Sequence, residues 1–132
     1  MKGSGKPVTV LRAGAPPSSP LSLVGQFGFS YPSPPNWGHQ NTALTVRKVA
    51  GFTNRFHVLF QIGSQFNFNP TTNTVTMTNN NISGATGTLQ GDSIYRLTLI
   101  DDGVNVTATD VVRIASGLRN PAGHTFHPRT GD

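Results

Sequence analysis

The 132-residue chain has no cysteine and no glutamate, so its acidic groups are five aspartates set against ten lysines and arginines. Without cysteine there is no disulfide framework, no thiolate metal site and no cysteine nucleophile, a composition that suits a reducing compartment. Charged residues make up only 11% of the chain and hydrophobic residues 35%, the former well below the roughly one quarter usual for a globular domain. No stretch approaches the roughly 18 apolar residues of a membrane span. The start, MKGSGKP, places no apolar run after its lysines, so neither a membrane partner nor an export signal is expected. Motifs of catalysis are missing as well: there is no GxGxxG, P-loop, GxSxG or HExxH. The aspartates are scattered, apart from Asp101-Asp102 beside Gly103, which is turn composition. His124 and His127 lie three apart in a Pro/Gly tail with no further ligand nearby. The expectation is a protein that is not an enzyme, with no metal and no cofactor.

Thr, Asn, Ser and Gly fill the space left by charge, and the β-branched and aromatic residues fall in short runs, the texture of a β-dominated protein. The length suits a single domain, residues 1–132. The formal charge of +5 suggests a polyanionic partner.

The most informative stretch is Thr42 to Ile62, TALTVRKVAGFTNRFHVLFQI. In Thr42–Val46 the apolar residues are Leu44 and Val46, with Thr45 and Arg47 opposite. In Arg55–Ile62 they are Phe56, Val58, Phe60 and Ile62, with Arg55, His57 and Gln61 opposite and Leu59 as the exception. This period of two predicts a pair of half-buried strands, and Gly51 and Asn54 in the connector suit a turn.

Before the hairpin, residues 1–6 read as a flexible basic arm, Pro7–Arg12 as a short strand and Leu21–Phe29 as a second one. The Pro-rich YPSPPNWGHQN connector follows, with Trp37 as its anchor onto the core. After the hairpin, Thr74–Thr78 and Ser93–Ile100 read as strands, separated by a polar Gly-rich loop, Asn79–Ser93. Thr107 with Asp110 three residues on resembles a helix cap. Val111, Ile114, Ala115 and Leu118 recur at helical spacing, which predicts a helix over Ala108–Arg119 ended by Pro121. Residues 121–132 form a polar tail, mobile unless a neighbour pins it.

If the strands pair in one antiparallel sheet, Thr45, Arg47, Arg55, His57, Arg96 and Thr98 point one way. Arginines neutralise phosphates, and Thr, His and Gln hydrogen-bond to bases and 2′-hydroxyls. The plain reading of the same pattern is a solvated face, since one side of a half-buried sheet must be polar.

LTVRKVAGFTNRFHVLFQI and YRLTLIDDGVNVTATDVVRIASGLRN are similar to the central strand pair, and to the last strand with its following helix, of the coat proteins of single-stranded RNA bacteriophages. The likeness covers about a third of the chain. It implies an α+β, β-dominated fold: an N-terminal hairpin and an antiparallel sheet, with a C-terminal helix packing over a dimer partner. It also implies a homodimer that assembles into an icosahedral virion capsid in the bacterial cytoplasm and packages the single-stranded RNA genome. Carried over by position, the RNA-binding residues would be Thr45, Arg47, Arg55, His57, Gln61, Arg96 and Thr98. A second reading stays open: an immunoglobulin- or PKD-like β-sandwich for adhesion or carbohydrate binding, or a phage decoration protein. A helix over Thr107–Arg119 favours the coat protein, and a strand there favours the sandwich.

Overall fold

A computed structural model describes residues 3–4, 7–14, 20–32, 37–41, 43–67 and 73–130. All regular elements among them are strands: β1 (Gly3–Ser4), β2 (Val8–Arg12), β3 (Ser22–Tyr31), β4 (Leu44–Lys48), β5 (Arg55–Ile62), β6 (Thr74–Asn80), β7 (Ile82–Ser83), β8 (Gly87–Gln90), β9 (Ser93–Asp101) and β10 (Val106–Ser116). They form two sheets. In the first, which we call sheet A, β1 and β2 share one edge of β3, and β6 and β8 follow on the other side, all antiparallel. In sheet B the order is β4-β5-β9-β10-β7, antiparallel except for the β10–β7 pair.

The core lies between the sheets because each contributes one face at a period of two. Phe27, Phe29 and Tyr31 on β3, with Val75 and Met77 on β6, meet Val58, Phe60 and Ile62 on β5 and Tyr95, Leu97 and Leu99 on β9. The Phe60 ring joins the layers, 5.2 Å from Phe29 and 5.6 Å from Tyr95 between centroids. The Tyr31 hydroxyl donates to Asn41 Oδ1 at 2.9 Å and accepts from the Asn41 N–H at 2.9 Å. Burial pushes its pKa up to about 12, so it stays a neutral donor. Trp37 is the anchor its sequence context predicts: it is buried, and its indole N–H donates to the carbonyls of Gly63 at 3.0 Å and His39 at 3.1 Å.

The expected α+β fold with a C-terminal helix is overturned. Residues 106–116 are strand β10, paired along β9 from Val106↔Asp101 to Ser116↔Ser93. The register slips between Thr109 and Val112 and again between Arg113 and Ala115. Each slip adds an unpaired residue to β10. Asp110, the expected partner in a helix cap, sits in the first of them at φ +55° and accepts from the Thr109 hydroxyl at 3.1 Å. These slips convert a period of two into the three-and-four spacing that imitates a helix. With no helix among the described residues, nothing helical packs over a dimer partner.

The interval from Asn79 to Ser93, expected as one loop, holds β7 and β8. β7 carries the chain from sheet A to sheet B, where Val106 pairs with Ile82. Directly after β7, Gly84 at φ +87° lets the chain lie against β10, because a Cβ there would lie 1.9 Å from the Ala108 carbonyl oxygen. Of the expected basic arm, only the backbone of Gly3–Ser4 lies within the described residues, as β1, and Thr42 lies outside them.

Candidate nucleic-acid interface

The register of sheet B decides which predicted residues stand together. Arg47 pairs with His57, and His57 with Thr98, so the three form a row across β4, β5 and β9. Thr45, Leu59 and Arg96 form the next row. Arg55 and Gln61 are two positions from His57 and Leu59, and alternation puts them on the same outward face. All seven predicted residues therefore share one side of sheet B, together with the aliphatic Leu59 and Ile100.

That side is only partly open. The C-terminal segment, expected as a tail mobile unless pinned, is strapped across it. The Ser64 N–H donates to the Arg119 carbonyl at 2.8 Å, the Thr45 hydroxyl to the His124 carbonyl at 2.7 Å, and Arg47 Nη1 to the His127 carbonyl at 3.3 Å. The Arg47 guanidinium also lies 5.9 Å from the centre of the Phe126 ring. Near the start of the strap, Gly63 leaves room for two carbonyls at once, since a Cβ there would lie 2.6 Å from that of His39 and 3.0 Å from that of Arg119.

The consequences differ from residue to residue. Gln61 is fully buried and acts as a bracket: its Oε1 accepts from the Ala43 N–H at 2.9 Å, and its Nε2 donates to the Gln40 carbonyl at 3.2 Å. Thr98 is buried, with its hydroxyl 3.2 Å from His57 Nδ1. These two are structural, and Thr45 is spent on the strap. Arg47, Arg55, His57 and Arg96 keep partial exposure.

Burial lowers the pKa of His57; the Arg96 charge lowers it further, and Asp110 opposes both. The imidazole is thus held neutral at neutral pH. His124 on the strap is also lowered, first by burial, although its own carbonyl and that of Ala43 pull the value back. Neither of its ring nitrogens completes a hydrogen bond, and Arg96 Nε is likewise buried without a partner.

Two aromatic partners escape the strand pattern. Phe52, in the β4–β5 turn, is exposed, and the Arg55 guanidinium sits 4.2 Å from the centre of its ring. Phe126 pairs with Arg47 in the same manner. Phe52 is legible as an aromatic in a turn next to a basic strand end; Phe126 is a strap residue 79 positions from its partner Arg47. The resulting surface combines guanidinium groups with flat rings, the two elements that hold a single-stranded polyanion by charge and by base stacking.

Charge is divided between the layers. Among the described residues, Arg47, Lys48, Arg55, Arg96 and Arg113 belong to sheet B, while sheet A carries Arg12 alone, bound to Asp101 of sheet B through contacts of 2.5 and 3.1 Å. That guanidinium is the first cause of the lowered Asp101 pKa. Among the described residues no group of three or more His, Asp or Glu side chains is placed to hold a metal ion, and no helix is long and apolar enough to cross a membrane. No family model, curated protein or solved structure matches the chain.

Proposed function

We propose that the protein is a non-catalytic structural subunit that holds single-stranded nucleic acid against the outer side of sheet B and associates with copies of itself around it. The observation that carries this reading is the segregation of charge: the cations gather on one layer, with Arg47 and Arg55 each beside an aromatic ring. A positive surface with stacking partners attracts phosphates without a sequence code. This reading keeps, as a proposal, the packaging role that the coat-protein likeness implies, without that family's helix. The reading involves no cofactor.

A second reading, a sandwich module for adhesion or carbohydrate binding, is favoured by one observation. Residues 106–116 are a strand, the feature that separates the two readings.

The test is to express the full chain in bacteria and run it on size exclusion while following nucleic-acid and protein absorbance together. The proposal expects large particles rich in nucleic acid. It also expects Arg47→Ala with Arg55→Ala to leave assembly intact and reduce the nucleic acid that co-purifies. A nucleic-acid-free monomer would overturn the proposal in favour of the sandwich module. Unchanged nucleic acid in the double variant would remove the assignment to sheet B.

A further inference from the structure

Among the described residues, one long side of the sandwich has no closing strand. It lies between β2, the outermost long strand of sheet A, and β4, the outermost strand of sheet B. A cleft of about 380 Å³ opens there, with Val8, Val10, Leu44, Val46, Phe56 and Val58 among its walls. Leu44 and Val46 pair with Phe60 and Val58 and so point toward the core side of the sheet, yet they remain 48% and 55% exposed. Apolar side chains aimed inward and still wet mark a place where a layer of the core is missing.

The backbone of β4 indicates what fits. The Val49 N–H donates to the Arg55 carbonyl at 2.9 Å. By antiparallel alternation the pairs bonded to β5 then run 49/55, 47/57 and 45/59. The N–H and C=O groups of Leu44, Val46 and Lys48 therefore point away from β5, along the free edge, where no described residue meets them. The strand ends in the cations Arg47 and Lys48, the latter exposed.

We propose that this side of the protein accepts an extended segment of a partner as an added strand on β4. The segment hydrogen-bonds to Leu44, Val46 and Lys48, turns alternate apolar side chains into the cleft, and carries carboxylates at the end that passes Lys48. Five residues of β4 offer a ladder about 17 Å long, the scale on which strand addition supplies affinity through the main chain and specificity through alternate pockets. Charge selects the class of partner. In an antiparallel pair of β4 strands from two copies, Lys48 of each would meet only Leu44 of the other and stay unneutralised, between chains that each carry +5, whereas an acidic segment neutralises it. This inference does not depend on nucleic-acid binding, which uses the opposite face of sheet B.

The experiment uses the full chain and a fluorescein-labelled nine-residue peptide in which valine alternates with threonine and two aspartates close one end, with binding read by anisotropy. Val46→Pro removes one outward N–H while sparing the bonds to β5, and is expected to weaken binding by about tenfold or more. Leu44→Asp gives an independent disruption at an exposed side chain should the proline variant not fold. Lys48→Glu is expected to reverse the preference between this peptide and one with lysines for aspartates. Thr76→Ala, on the outer side of sheet A, leaves binding unchanged. Four results overturn the proposal. The first is equal binding of a peptide N-methylated at alternate residues, and the second is equal binding by folded Val46→Pro. The third is a concentration-dependent dimer that Val46→Pro abolishes and the peptide does not disturb, which would make a second copy the occupant. A fluorescent fatty acid that fills the cleft and excludes the peptide, with no effect of Val46→Pro, would make it a small-molecule site instead.

Discussion

The two sheets share one core and present very different outer surfaces. The outer positions of sheet A hold Gln26 and Ser30 on β3, Thr74, Thr76 and Thr78 on β6, and Thr88 and Gln90 on β8, none of them charged. The equivalent positions of sheet B hold Thr45, Arg47, Arg55, His57, Gln61, Arg96 and Thr98 beneath a strap from the C-terminus. Both surfaces satisfy the requirement that a half-buried sheet be polar on one side, and only one of them concentrates charge. Polarity alone is a solvation property. Cations held beside aromatic rings are a different matter, because gathering like charge costs repulsion that an anionic partner relieves.

The comparison breaks most severely where the layers join. Phe60→Ala removes the ring that touches both layers and is expected to cost about 3–5 kcal/mol, read from the midpoint of urea unfolding. Gly84→Ala strikes the turn directly after β7 with both a forbidden φ and a clash on the Ala108 carbonyl. A loss of about 3 kcal/mol or failure to fold is expected, seen as reduced soluble yield and a lowered Tm.

Smaller changes sharpen the contrast without breaking the fold. In titrations of single-stranded DNA against salt, Arg47→Ala is expected to lower the slope of log K by about 0.7 for the phosphate contact removed. Thr76→Lys, which adds a cation to sheet A, should leave the affinity close to wild type, because an isolated charge lacks the gathered set.

Acid provides a third lever. His57 and His124 both have pKa values lowered from 6.5, so the unfolded chain binds protons more readily than the folded one. Their contribution to stability is complete above about pH 6.5. It declines as pH falls through the lowered folded values, because a charged His57 faces Arg96 and both charged rings are desolvated by burial. Unfolding followed from about pH 7 to about pH 5 should show this decline, and His124→Gln should flatten it. The smallest effect belongs to Thr76→Ala on the uncharged face, within about 0.5 kcal/mol of wild type by thermal melting.

The paired strands around residue 50 were readable because strict alternation needs no distant information: Leu44 and Val46, then Phe56, Val58, Phe60 and Ile62, state both the strand and its buried face. The same alternation places the seven candidate residues on one side once β5 pairs with β9. The last strand was misread for a local reason. Bulges at Asp110 and near Ile114 shift Val111, Ile114, Ala115 and Leu118 out of the period of two, and a cap-like Thr107 completed the resemblance to a helix. β7 and β8 were hidden because strands of two and four residues, each with a single buried aliphatic, Ile82 or Leu89, are too short to display a period.

By itself the amino-acid sequence determined that the chain is β-dominated and cationic, where its central turn lies, and which side chains alternate on each long strand, because these follow from composition and from a repeat of two residues. Tertiary structure alone decided that the strands divide into two stacked sheets, that residues 106–116 extend sheet B, and that the strap takes up Thr45 and Arg47. The physical reason is that strand pairing and strap docking satisfy backbone groups through partners up to about eighty positions away, Arg47 and His127 among them. Nothing in the neighbourhood of either residue encodes which partner it will meet.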